Sequence, residues 1–197
     1  MKHLLPALIA IPTLLSAQIQ LTGSLVVARH HGHSLAAEDA GQPRILPGAG
    51  LGGALAISMD RGPLRLALML ERQGGADLLI VGDESGVVTR DMINSTSFGL
   101  DLGARIAGDT ELASLHLLAG IRSIRWSFDG VEDPAVTRVG AVLAIEGATP
   151  VGPRLHSVIR ADATFSGGLF DADQLPEGYE RETGRRLALM VGLRWQP

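Results

Sequence analysis

The chain has 197 residues, a formal net charge of −4 at pH 7, and 46 % hydrophobic against 19 % charged residues. This length fits one domain, and the lack of cysteine excludes a disulfide framework and thiol chemistry. No internal apolar run reaches the ~18 residues of a membrane-spanning helix. We predict no nucleic-acid partner for this acidic chain.

Residues 1–17 have the pattern of a secretory signal peptide. Lys2 and His3 form a short charged start, residues 4–15 form a mostly apolar core, and Ser16 and Ala17 are small residues suited to cleavage. We therefore predict a signal peptide over residues 1–17 and one barrel domain over residues 18–197. The alternative is that the N-terminus forms a buried strand or helix.

Eight stretches of alternating character follow the predicted signal peptide. Because successive side chains of a strand point to opposite faces, each stretch has one face of Leu, Val and Ile and another of Gly, Ala, Ser and Arg. In the third stretch, for example, Leu64 and Leu66 flank Arg65. The eight stretches cover residues 18–29, 48–59, 63–72, 94–106, 111–125, 136–146, 153–165 and 185–195. This repeated period of two is typical of β-barrel strands.

The connections between these stretches alternate in length. The short ones are rich in Gly, Pro and Asp, as hairpin turns require, and lie at residues 60–62, 107–110 and 147–152. The longer ones lie at residues 30–47, 73–93, 126–135 and 166–184. An even strand number with short turns at one end and long loops at the other is the layout of a membrane barrel. We predict an all-β, eight-stranded antiparallel up-and-down transmembrane β-barrel.

In this layout, residues 18–197 resemble the small eight-stranded outer-membrane β-barrels of Gram-negative bacteria, the OmpX and OmpA-transmembrane-domain type. The resemblance concerns layout and not a sequence motif. It implies a place in the cell outer membrane, contact with lipid and lipopolysaccharide, insertion by the barrel insertion machinery, a monomer, and no cofactor. The alternative is a soluble lipocalin-like barrel that turns its apolar face inward around a ligand.

The alternation assigns twelve charged side chains to the barrel interior. They are Arg65, Glu71, Asp101, Arg105, Arg122, Arg138, Glu146, Arg154, Arg160, Asp162, Arg186 and Arg194. An eight-stranded barrel is just wide enough for its side chains to fill it, and buried charges are costly unless paired. Because the arginines outnumber the carboxylates, we expect water or backbone carbonyls to accept the remaining N–H bonds. We interpret the set as a polar plug, with a narrow anion-favouring pathway as the alternative.

Four arginines have the opposite, lipid-facing parity. Arg29, Arg72, Arg125 and Arg185 each lie at the strand end nearest a long loop. Arginine on the outer wall costs only about 0–1 kcal/mol near the membrane interface, and guanidinium groups can hold phosphates bidentately. We hypothesise that these arginines contact lipopolysaccharide phosphates. Ordinary snorkelling at the interface is the alternative.

The remaining candidate residues are predicted to form neither a metal site nor a catalytic site. Histidines 30, 31 and 33 could bind zinc or copper, but no fixed spacing or carboxylate partner supports this, so we predict no metal site and a solvated loop. His156 and Ser157 point to opposite faces of a strand, which separates a nucleophile from its base. We therefore predict a non-enzymatic protein with a structural or surface-interaction role, and a lipid A-modifying enzyme as the alternative. Acidic residues of two long loops, predicted to be solvated, are Asp129, Glu132, Asp133, Glu177, Glu180 and Glu182.

Overall fold

The computed structural model describes residues 18–36, 44–81, 86–109, 113–128, 135–171, 175 and 177–197, with residues 35–36, 86–92 and 109 described by their backbone. The predicted signal peptide at residues 1–17 lies outside the described residues, as do Asp129, Glu132 and Asp133. No helix in the described ranges is long and apolar enough to cross a membrane.

The described chain is built from β-strands. Their bounds are β1 Gln18–His31, β2 Ser34–Ala36, β3 Arg44–Pro47, β4 Gly50–Arg61, β5 Leu64–Val81, β6 Gly86–Asp109, β7 Ala113–Phe128, β8 Ala135–Gly152, β9 Leu155–Ser166, β10 Tyr179–Arg181 and β11 Gly184–Trp195. Eight of them, β1, β4 to β9 and β11, form one ring in which every pairing is antiparallel.

The ring closes between the first strand and the last. Leu25 of β1 lies opposite Val191 of β11 on one side and opposite Gly53 of β4 on the other. Pairing of all eight neighbours leaves no open edge in the barrel wall, which is the condition for a sheet to span lipid. The predicted eight-stranded up-and-down barrel is confirmed.

The barrel is apolar outside and charged inside. Leu102 and Leu143 on the outer wall are 61 % and 58 % exposed, whereas Arg65 and Arg122 inside are 2 % and 1 % exposed. A lipocalin-like barrel needs the reverse arrangement, with leucines inside and charges in water. The soluble alternative is therefore wrong, and the outer wall is a surface suited to contact with lipid.

Strands continue into several of the predicted connections, including the turns at residues 60–62, 107–110 and 147–152. The turn expected at residues 147–152 is part of β8, which continues to Gly152 and meets β9 at Pro153 and Arg154. Pro150 is accommodated inside β8 beside an irregularity in the β8–β9 register, a position where a residue without an N–H is tolerated. The connection expected at residues 73–93 is largely an extension of the β5–β6 hairpin. In this extension β3 pairs with β5 and adds a third strand.

This extension carries a protected edge. The Ser34 hydroxyl donates to the carbonyl of Ile45 at 3.0 Å and accepts from its N–H at 2.9 Å, so both backbone groups of Ile45 on the free side of β3 are occupied. Pro47 ends β3 and has no N–H to offer. Occupied groups and prolines are common means of preventing a strand from pairing with another chain.

Candidate functional site

Buried charges fill the lumen at the end of the barrel nearest the short turns. We call Gln20, Asp60, Arg65, Glu146 and Arg194 the turn-side cluster. Arg65 donates to both carboxylate oxygens of Asp60, at 2.7 and 2.6 Å, and also to Glu146. Arg194 donates to the same Glu146 oxygen and, through Nε, to Thr22 at 3.2 Å. The bidentate Arg65–Asp60 pair is the strong form of a charge-assisted hydrogen bond.

A second set of charges fills the lumen nearer the long loops. We define the loop-side cluster as Glu71, Asp101, Arg122, Arg160, Asp162 and Arg186. Asp101 accepts from Arg160 at 2.8 Å and from Arg122 at 3.3 Å. Arg186 donates to Asp162 at 3.2 Å and to Glu71. Gly99 makes room for this packing, since a Cβ at that position would lie 2.8 Å from Arg122 Cδ.

The two clusters are each neutral by formal charge. The turn-side cluster has two arginines against two carboxylates, and the loop-side cluster has three against three. The alternation predicted more arginines than carboxylates inside the barrel, and this prediction is therefore wrong for the enclosed lumen. Asp60 was missed because it precedes Gly62 and was assigned to a turn, whereas β4 continues through it to Arg61. The cavity between the side chains beside the turn-side cluster has a volume of only about 20 Å³.

The other predicted interior arginines lie at the barrel ends. Arg154 is exposed in the β8–β9 turn and not in the lumen, because the turn comes later in the chain than predicted. Arg105 and Arg138 are half-buried. Arg138 donates to the carbonyl of Gly168 at 2.7 Å and to Asp171 at 2.8 Å, so it fastens the β9–β10 connection. A backbone carbonyl thus accepts one hydrogen bond of a guanidinium at the barrel end.

The long-loop end of the lumen is closed by a cap, which we define as Leu169, Trp126, His30 and His33. Leu169 is fully buried and packs with Trp126 in an apolar cluster that includes Ile93 and Ile124. Its N–H donates to His33 Nδ1 at 3.0 Å. The two histidine rings lie 5.2 and 6.1 Å from the Trp126 ring, centroid to centroid. Residues 167–171, which follow β9, therefore fold over the barrel mouth.

This cap corrects the prediction of a solvated histidine loop. His30 and His33 are each 2 % exposed, whereas His31 points outward and is exposed. The three rings therefore do not converge on one point. His33 Nδ1 accepts an N–H, so its Nε2 carries the ring proton in the neutral tautomer and has no lone pair for a metal. Among the residues that the structure describes, no group of three or more potential ligands could hold a metal ion.

The cap should loosen in mild acid. Burial lowers the pKa of His33 from 6.5 to about 4. Between these values the imidazole binds a proton in the open form and not in the closed form, so closure is fully stable above pH 6.5 and weakens as the pH falls. The loss should reach about 2 kcal/mol at pH 5. We expect acrylamide to quench Trp126 more strongly at pH 5 than at pH 7.5 in a Trp195→Phe background.

The same measurement on His33→Asn provides the control. The Asn oxygen can accept the Leu169 N–H but does not titrate in this range. His30 is the neighbouring titratable ring, at 5.9 Å between centroids, so its Asn variant should be measured in parallel. Unchanged pH dependence in His33→Asn would assign the response to another group.

The four outward arginines fall into two groups. Arg72 of β5 and Arg125 of β7 lie on either side of Thr96 of β6 and directly opposite it. On the other side of the barrel, Arg185 of β11 lies opposite His31 of β1, and Arg29 of β1 lies opposite Leu187 of β11. Arg29 and Arg185 are therefore diagonal neighbours across the β1–β11 pair. All four arginines are exposed. Within the described ranges, no carboxylate forms an ion pair with any of them.

The residues considered for hydrolysis do not form a catalytic pair. His156 is buried in the lumen, whereas Ser157 is partly exposed on the outer wall. This arrangement is the one that the alternation predicts. Of the described acidic loop residues, Glu177 and Glu180 are exposed as predicted, while Glu182 is half-buried and lies 3.8 Å from the Arg44 guanidinium.

No protein-family model matches the sequence, and no curated protein matches it. Solved structures do match. The outer membrane protein OprG of Pseudomonas aeruginosa is 9 % identical, with a TM-score of 0.64 over 92 % of this chain and 96 % of its own. Neisserial surface protein A is 12 % identical, with a TM-score of 0.61 over 91 % of this chain and 97 % of its own. This chain has the fold of the small outer-membrane β-barrels.

A third match has the same layout as part of a larger protein. The N-terminal β-barrel domain of Pseudomonas aeruginosa OprF is 11 % identical, with a TM-score of 0.51 over 91 % of this chain and all of that domain. At such low identity the likeness concerns the path of the chain and not its side chains. The neutral lumen clusters, the cap and the arginine groups are features of this chain's own side chains.

Proposed function

We propose that this protein is a non-enzymatic, monomeric outer-membrane barrel with a structural and surface-interaction role in the bacterial envelope. In this proposal the barrel insertion machinery places it in the membrane, and lipopolysaccharide is its principal partner there. The observation that carries the proposal is the cross-strand grouping of Arg29, Arg72, Arg125 and Arg185 on the lipid-facing wall.

The grouping favours phosphate contact over independent snorkelling. Adjacent strands lie about 4.8 Å apart, so Arg72 and Arg125 are separated by roughly 10 Å across Thr96. Two long side chains at that separation can reach one phosphate between them. Like charges placed so close together, with no ion pair to a carboxylate among the described residues, repel one another unless an anion intervenes. Lipopolysaccharide phosphates provide such an anion at the membrane surface.

The lumen supports the non-enzymatic, non-porin part of the proposal. In each of its two neutral clusters the arginines form ion pairs with the carboxylates of the same cluster, and the space beside the turn-side cluster is only about 20 Å³. Such a plug gives a rigid wall from which the arginines and the loop surface project. Removal of either partner from a buried ion pair is strongly destabilising. The charges in the lumen therefore have a structural role.

The test is replacement of the four outward arginines with glutamine. An arginine near an anionic membrane surface contributes about 1 kcal/mol, so the fourfold variant should bind lipopolysaccharide at least tenfold more weakly in neutral detergent. The barrel should stay folded, because all four side chains are exposed. Titration with purified lipopolysaccharide measures the affinity, and circular dichroism verifies the fold.

A matched control is available at the opposite end of the barrel. Arg61 and Arg154 are exposed beside the short turns, and their double Gln variant removes positive charge away from the outward arginines. It should leave lipopolysaccharide affinity nearly unchanged. Equal affinity of the fourfold variant and the unmodified protein would contradict the proposal and leave snorkelling as the role of these arginines.

A further inference from the structure

The outer wall of the barrel has a trough along β9. Ala161 and Ala163 form its floor, since both project outward from a strand whose neighbours carry larger side chains. Leu189 and Ile145 flank Ala161, and Leu187 and Leu143 flank Ala163, each directly opposite in the register. The resulting apolar depression has a volume of about 680 Å³. Small-molecule sites span about 300–1,000 Å³.

The end of the trough nearest the long loops is positively charged. Arg29 borders the depression, and Arg185 lies opposite Phe165, two residues beyond Ala163 on the same face of β9. Diagonal neighbours in a sheet are about 7–8 Å apart, which places Arg29 and Arg185 close enough to share one ligand group. His31 lies directly opposite Arg185 and is exposed on the same side.

A smaller depression elsewhere on the wall has a similar composition. Gly23 and Gly53 leave room between Leu55 and Leu70, and Arg72 borders the space, whose volume is about 360 Å³. An apolar hollow bordered by a rim arginine thus occurs on two sides of the barrel. The trough along β9 is the larger of the two and has two arginines at its upper end.

We propose that the trough along β9 is a binding site for one anionic phospholipid-like molecule, whose acyl chain lies on Ala161 and Ala163 while Arg29 and Arg185 hold its phosphate. The inference rests on the proposed contact between the outward arginines and lipid phosphate, and it adds a defined position and an acyl-chain subsite. The distance along β9 from Ala161 to Phe165 is about 14 Å, long enough for much of an acyl chain to lie below the phosphate.

The chemistry of the ligand follows from the two ends of the site. A chain without a charged group would gain the apolar contact but leave both arginines uncompensated. A free phosphate would meet the arginines but leave the trough unused. Only a molecule with both parts, aligned with its phosphate toward the long loops, engages the whole site.

Photo-crosslinking tests the position. The folded protein is reconstituted in phosphatidylcholine vesicles that contain phosphatidylglycerol with a diazirine in one acyl chain, and crosslinked residues are mapped by mass spectrometry. Labelling should concentrate on β9 and its neighbours β8 and β11. The A161L/A163L variant fills the floor and should lower that labelling at least fivefold. A119L/A141L, the same change at two exposed alanines outside the trough, should not.

Two further arms test the phosphate contact. A diazirine-bearing diacylglycerol, which lacks the phosphate, should label β9 at least fivefold less than the phosphatidylglycerol probe. R29Q/R185Q should reduce phosphatidylglycerol labelling to the diacylglycerol level, whereas R72Q/R125Q should preserve it. Labelling spread evenly around the wall, or β9 labelling that A161L/A163L leaves unchanged, would overturn the inference.

The crosslinking test of the trough and the lipopolysaccharide-affinity test of the proposed function can fail independently. The trough-filled variant keeps all four outward arginines, so its affinity for lipopolysaccharide should remain close to that of the unmodified protein. Normal lipopolysaccharide affinity together with unlocalised crosslinking would remove the site along β9 and leave the proposed function intact. Localised crosslinking with arginine-independent lipopolysaccharide affinity would contradict only the proposed function.

Discussion

Replacement of Glu146 with leucine should cost about 3–5 kcal/mol of barrel stability. One oxygen of Glu146 accepts hydrogen bonds from both Arg65 and Arg194. Without it, the turn-side cluster has two guanidinium groups against Asp60 alone, all of them inside the barrel. The free energy of unfolding in urea, measured in lipid vesicles, gives the loss directly.

A double-mutant cycle shows whether charge balance is the cause. The E146L/R194L variant retains only the bidentate pair of Arg65 and Asp60, so it is neutral again and should lose clearly less stability than the two single variants added together. Glu180→Leu, at an exposed acid of β10, should change stability by no more than about 0.5 kcal/mol. Additive losses in the cycle would mean that shape, and not charge, determines the cost.

Replacement of Leu117 with arginine should cost about 2–4 kcal/mol, the penalty for this residue near the bilayer midplane. Leu117 is 53 % exposed on the outer wall of β7, and it lies eight residues before Arg125 of the same strand. Ser123→Arg places the same side chain two residues from Arg125, where the penalty should fall to about 0–1 kcal/mol. Both variants are compared by urea unfolding in the same vesicles.

The difference in unfolding free energy between the two variants reports the depth of each position in the membrane. Both substitutions occur on one strand and on one face, since positions 117, 123 and 125 are all exposed outward. Differences in local strand propensity are therefore small compared with the effect of depth. Equal unfolding free energies would contradict the assignment of Arg125 to the membrane interface.

The sequence predicted the barrel because lipid imposes a strong rule on every strand. Each outward position must be apolar along the span, so Leu102 and Leu143 could be assigned to a face without knowledge of their neighbours. The same rule placed Arg65 and Arg122 inside. It failed where strands reach a turn, as at Asp60 and Arg154, because alternation does not determine the residue at which a hairpin reverses.

The cap could be predicted only in part. His30 was assigned to a solvated loop, although extending the alternation by one residue beyond the outward Arg29 would place it on the inner face. Burial of His33 depends instead on Leu169, 136 residues further along the chain. No local pattern reports such a contact. The balance of charge in the lumen is likewise a property of several strands together, since Arg65 and Glu146 are separated by 81 residues.

The closure of β1 against β11 has a consequence for the folding rate. The bond from Arg194 to Thr22 joins residues 172 positions apart, and the turn-side cluster draws its members from β1, β4, β5, β8 and β11. A barrel open at the β1–β11 seam would leave these charges incompletely paired, so the last step of closure must form many contacts at once. Chains dominated by such distant contacts fold slowly. By the same reasoning the closed barrel must break many contacts together before it can open, which gives it a long lifetime once formed.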